Sequence, residues 1–133
     1  MSRAYNVTQV LADYVVNASF ADLPPEVIHE AKRSLVNVLG VALGAANHPA
    51  VDMVLELARE AGRSEACTVW GRRERSDCYF AALANGIEAH LFDYDDTHPT
   101  ILHPSAPVAP AAFALAELGG IDGRQLLTAF VLG

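Results

Sequence analysis

Lysine is nearly absent from this 133-residue chain: Lys32 is the only one, and nine Lys and Arg in total stand against sixteen Asp and Glu, a formal net charge of −7. Arg72, Arg73 and Arg75 are the only clustered bases. Such a charge balance excludes the basic stripe that nucleic-acid binding needs, and a bound anion has to be held by local donors against an unfavourable overall field. Cysteine is scarce as well, with Cys67 and Cys78 alone. Their spacing matches no zinc or redox motif, and two thiols do not hold a four-cysteine iron–sulfur cluster. The expectation is a pair of inert thiols in a reducing cytoplasm. Long apolar runs are lacking too. Met1–Asp13 carries polar residues throughout and has no apolar core of a signal peptide. Ser34–Val51 has no formal charge, but Asn37, Gly40, Gly44, Asn47 and Pro49 interrupt it, so it reads as a buried helix and its end, with no membrane span expected.

What is abundant is alanine, 23 residues, within a hydrophobic fraction of 52%. That fraction argues for a folded chain, and one domain of this size buries roughly 68–70% of its unfolded surface. Alanine is the best helix former and lets helices approach closely, so the expected class is all-α, a bundle-like domain of about six helices. Val7, Val10, Leu11, Tyr14, Val15 and Ala18 have helical spacing. Leu23-Pro24-Pro25-Glu26 starts a long helix, whose apolar face continues through Ala31, Leu35, Val38 and Ala42 until Gly44 and Asn47 mark its end. Pro49 opens a third helix that Gly62 stops. Ala66–Trp70 is the one candidate strand, Gly71–Asp77 a polar turn, and Ser76 the expected cap of a helix over Tyr79–Leu91. Pro104, Pro107 and Pro110 crowd the next stretch, leaving a helix expected at Ala111–Leu118. Asp122 caps a last one over Gly123–Leu132. Its apolar run, Leu126–Leu132, ends at Gly133 without a polar tail, which suggests a fragment or a docking face.

Chemistry concentrates in His90–His103, where His90, Asp93, Asp95, Asp96, Thr97, His98 and His103 fall together. If the helix through His90 runs one more turn, His90, Asp93 and Thr97 share a face, and Pro99 and Pro104 stiffen the loop that brings His103 back to it. A carboxylate facing an imidazole is a means of proton transfer. Three readings stand side by side. One is a solvated acidic turn in which Asp95 and Asp96 cap a helix. A second is a divalent-cation site using Asp93, Asp95 and His98, although the glycine and glutamate of an EF-hand loop are replaced by His98 and Pro104. The third is a metal-free acid/base site for a small polar substrate. Elsewhere, His29 reads as a surface residue, His48 as a cap, Trp70 as core and Arg72-Arg73 as a solvated turn. Gly40 and Gly44 suggest close helix packing. For His90, the core is preferred over the site.

Asn85-Gly86, His90, Asp93-Tyr94-Asp95-Asp96-Thr97 and His103-Pro104-Ser105, in that order, resemble the signature of the MmgE/PrpD family. That family includes 2-methylcitrate dehydratase, cis-aconitate decarboxylase and iminodisuccinate epimerase. Leu23-Pro24-Pro25-Glu26-Val27, Val69-Trp70-Gly71 and Asp122-Gly123 extend the resemblance over the chain from about Val7. It implies the N-terminal part of a helical domain, residues 1–133, that in a complete protein packs against a smaller α/β domain. It implies a lyase without metal or cofactor, acting on di- or tricarboxylates, most simply a 2-methylcitrate dehydratase-like water elimination, with a decarboxylase, an epimerase or a non-catalytic helical oligomerisation module as alternatives. Asp93 and His103 would be catalytic, His103 exchanging a proton with substrate and Asp93 sharing or orienting it. Thr97 and His98 would bind substrate. His98 stands where some branches carry Trp. The further cations that such a substrate requires are expected from beyond this chain. The chain alone is therefore expected to be inactive, with a second copy or a complementary C-terminal chain as its partner.

Overall fold

A computed structural model describes residues 6–62, 64–100 and 103–133. Residues 1–5 of the polar N-terminal stretch, and residues 101–102 of the loop before His103, lie outside the described residues. Six α-helices account for most of the chain: α1 (Val7–Asn17), α2 (Pro25–Ala45), α3 (Pro49–Glu60), α4 (Cys78–His90), α5 (Ser105–Gly119) and α6 (Gly123–Leu132). The class is all-α, as expected. No single helix among the described residues is long and apolar enough to cross a membrane, and α2 and α3 meet at 87°.

Local chemistry explains most helix ends. Pro25 occupies the first position of α2 and Pro49 that of α3, where a missing N–H costs nothing. The His48 imidazole accepts from Ala50 N at the start of α3, and Gly62 follows its end at φ +72°. Asp122 and Gln125 cap each other's backbone at α6. At α4 the cap is Asp77, which accepts from Tyr79 N and Phe80 N. Ser76, the expected cap, is instead buried in a strand pair.

That pair is a two-stranded antiparallel ribbon, β1 (Cys67–Thr68) with β2 (Arg75–Ser76). Its second strand replaces part of the polar turn expected over Gly71–Asp77. Buried Asn85 on α4 clamps the ribbon, its Oδ1 accepting from Trp70 N and its Nδ2 donating to Thr68 O. Arg72 is anchored, not solvated: it donates to Ala46 O and pairs with Asp52 at 2.8 Å. Cys67 is buried, and burial pushes its thiol pKa up.

The core has two parts. Val51, Val54 and Leu55 of α3 pack with Cys67, Val69, Ala81, Ala84 and Ala114. Val38 and Ala42 of α2 pack with Trp70, Ala89, Ala106 and Ala109. Alanines thus line the extensive contact between α4 and α5, which sets the spacing of the two helices that carry the site. The apolar face expected on α1 is present but outward, with Val7, Leu11 and Tyr14 about three-fifths exposed.

Candidate functional site

The predicted extra turn after His90 does not form. Helix α4 ends there, and Asp93 takes a left-handed conformation at φ 55°, which Asp tolerates better than most residues. The chain reverses, with Asp93 N donating to His90 O at 3.1 Å. The following loop is held on three sides. Phe92 meets His48 edge-on, at 6.1 Å between ring centroids, and stacks on Tyr94. The Tyr94 hydroxyl approaches α2 at Gly44, where a Cβ would lie 3.2 Å from it. Gly44 therefore serves the loop rather than a helix contact, and among the described residues nothing lies within 4 Å of a Cβ built at Gly40. Asp96 accepts from both Ser105 N and Ser105 Oγ at the start of α5. His103 is thereby brought back over the end of α4.

The result is a cluster of two imidazoles and two carboxylates. His103 Nε2 lies 3.1 Å from Asp93 Oδ1, and His103 Nδ1 lies 3.2 Å from Asp95 Oδ1. His90 Nδ1 is hydrogen-bonded to the same Asp95 oxygen at 3.0 Å. The two rings are 4.7 Å apart. The Asp95 side chain is fully buried, whereas that of Asp93 is 77% exposed. Two buried atoms of the cluster, Asp95 Oδ2 and His103 Nδ1, have no hydrogen-bond partner among the described residues.

Asp93 and His103 therefore meet as the sequence suggests. Thr97 and His98 stand apart from them. Thr97 is exposed and its hydroxyl donates to Asp95 O. His98 is exposed and its Nδ1 accepts from Thr100 N. Among the described residues, the group with metal-ligand spacing is His90, Asp95 and His103, so neither Asp93 nor His98 joins Asp95 in the cation site considered from sequence. His90, expected in the core, is half exposed and belongs to the cluster. Sequence reasoning also passed over Asp95 as the buried member. Its one local signal was its position just beyond the helix that ends at His90.

Two clefts flank His103. One, of about 410 Å³ between α4 and α5, is lined by Gly86, His90, His103, Ala106 and Pro107. It carries no carboxylate. The other, of about 670 Å³, includes Glu26, Glu30 and Asp96, which oppose a polyanion. Neither is lined by Lys or Arg among the described residues. A further carboxylate, Glu88, is fully buried two residues before His90, with neither oxygen hydrogen-bonded among the described residues. Burial raises its pKa from 4.5 to about 8, with Arg72 offsetting part of the effect.

Comparison with known proteins agrees with the signature. Residues 9–133 match the MmgE/PrpD N-terminal domain. The cis-aconitate decarboxylase of Mus musculus is 30% identical over 133 residues, covering 96% of this chain and 27% of that protein. That of Homo sapiens is 29% identical, covering 96% and 28%. That of Aspergillus terreus is 27% identical over 121 residues, covering 90% and 25%. The chain thus spans less than a third of the length of these relatives.

Proposed function

The chain belongs to the MmgE/PrpD family, and on that premise we propose that it is the N-terminal portion of a lyase for di- or tricarboxylates, working by proton transfer at a carbon next to a carboxylate. The observation that carries this is the pairing of His103, which lines the cleft between α4 and α5, with Asp93 and Asp95. His103 exchanges the proton with substrate, and Asp93, exposed beside its Nε2, orients or shares it. Thr97 and His98 stay in the proposal as substrate contacts at the mouth of the loop.

Decarboxylation and dehydration both fit this apparatus. In the first, the bond to a carboxylate breaks, carbon dioxide leaves, and the carbon takes a proton. In the second, the carbon loses a proton and the neighbouring hydroxyl leaves as water. The names of the relatives favour decarboxylation of cis-aconitate, and 2-methylcitrate dehydration is the second reading. Either substrate needs cations to offset its desolvation, so the site is half of a centre. The other half comes from a complementary chain segment, and a second copy of the chain is the further partner. The chain works in the cytoplasm.

The test is a chimaera in which this chain replaces the matching segment of the mouse decarboxylase. Expected are release of carbon dioxide from cis-aconitate, or water elimination from 2-methylcitrate, and a loss of about 10²-fold or more in His103→Ala. The chain alone is expected to turn over neither. A folded chimaera inactive on both acids would overturn the proposal.

A further inference from the structure

Resting on the reading of this site as a proton-transfer centre, we propose that His90 is its second proton-carrying group, with Asp95 as the positioning residue that fixes its tautomer. His90 Nδ1 and Asp95 Oδ1 form the one aligned hydrogen bond between an imidazole and a carboxylate in the cluster, at 3.0 Å. An ionised carboxylate only accepts, so the bond places the proton of neutral His90 on Nδ1. The carboxylate is fully buried and the imidazole half exposed, so the anchor is fixed in the protein and the ring presents its far edge to solvent. That edge carries Nε2, an acceptor in this tautomer. Its nearest carboxylate, Asp93 Oδ1, is 4.0 Å away, beyond hydrogen-bond reach. Nε2 is thus left for a third party.

The position of His90 says what that party is. The residue lines the same cleft as His103, and it also lines the continuation of that cleft between Leu83, Ile87 and Pro110. A substrate that reaches His103 there reaches His90 as well. The two rings share Asp95 Oδ1, at 3.0 and 3.2 Å, so one buried negative charge serves both. With one ring neutral and the other protonated, the pair serves both halves of an elimination. A neutral ring takes a proton from carbon, and a protonated ring delivers one to a leaving hydroxyl. After an elimination the two have exchanged states and the charge of the cluster is unchanged.

Long-range ¹H–¹⁵N NMR of the full chain, at about pH 8.5 where an ordinary imidazole is neutral, reads the tautomer directly, with His90→Gln assigning the signal. Expected is the Nδ1–H form at His90, reverting in Asp95→Ala to the Nε2–H form that imidazole prefers in water, and unchanged in Asp93→Ala. The Nε2–H form in the wild type, or equal effects of the two Asp variants, would overturn the proposal. If Asp95→Ala does not fold, the wild-type tautomer decides. In the chimaera, His90→Gln is expected to lower kcat about 10²-fold with KM within about two-fold; an unchanged kcat also overturns it. An inactive chimaera with the Nδ1–H form intact counts against the lyase reading alone.

Discussion

Two polar crossings join helices in this molecule, and they use their polarity in opposite ways. The ribbon corner around β1 and β2 satisfies its strong groups. Arg75 donates to Glu65 O, Ala66 O, Thr68 Oγ1 and Glu117, and buried Asn85 is bonded at both ends of its amide. The Ser76 hydroxyl is the one exception on the strands. The loop from α4 to α5 satisfies Asp96 but, among the described residues, leaves Asp95 Oδ2 and His103 Nδ1 buried without hydrogen bonds. Buried polar atoms are paired in most proteins, and the exceptions cluster where chemistry is done. Charge density alone does not mark the site loop, since Gly71–Asp77 carries five Asp, Glu or Arg in seven residues and Asp93–His98 three in six. The difference is whether partners were supplied.

Three measurements break or sharpen that contrast. Glu88 lies between the two regions, and its raised pKa means that the folded chain holds a proton the unfolded chain gives up. Stability is therefore full below about pH 4.5 and falls as the pH rises toward about 8, by up to about 4 kcal/mol. Glu88→Gln is expected to remove that slope in urea unfolding at pH 5 and pH 8; parallel slopes in both proteins would refute the account. On the ribbon side, Asn85→Ala leaves Trp70 N and Thr68 O without their partners and is expected to cost about 2–3 kcal/mol, read as a lower urea midpoint. A cost near zero would mean that the ribbon corner is as unsatisfied as the site loop. The smallest effect belongs to Asp96→Ala, which removes the acceptor at the start of α5 and is expected to cost about 1 kcal/mol. Because Asp96 also closes the loop, the same variant should loosen the His90–His103 approach, seen as altered ring shifts by NMR.

Legibility followed the range of the interactions. The starts of α2, α3 and α6 could be read because Pro25, Pro49 and Asp122 act within one turn. The start of α5 was misread six residues late. Pro107 sits at its third position, where no N–H is needed, and only Pro110 forfeits a helical bond. The second strand of the ribbon was missed because its two residues gain meaning only from Cys67 and Thr68. In the site, the meeting of Asp93 and His103 was anticipated, but by the wrong route: a left-handed turn at Asp93 achieves it, not a longer helix. The place of His90 was misjudged because a histidine ending a helix of mostly buried residues looks like core until the neighbouring loop is folded.

The residue pattern by itself determined the helical class, most of the helix ends, the family, and the fourteen residues that hold the clustered histidines and carboxylates. Those properties rest on backbone hydrogen bonding and short-range side-chain spacing, which each segment carries with it. Only the tertiary structure decided that Asp95 is the buried carboxylate of the cluster, that His90 and His103 share it, and that Glu88 is buried without a hydrogen bond among the described residues. Those outcomes depend on how closely the alanine faces of α4 and α5 pack and on where Asp96 and Tyr94 pin the loop. Burial and orientation of a charge are properties of the closed fold, since every distance that sets them is measured between segments that local propensity leaves independent.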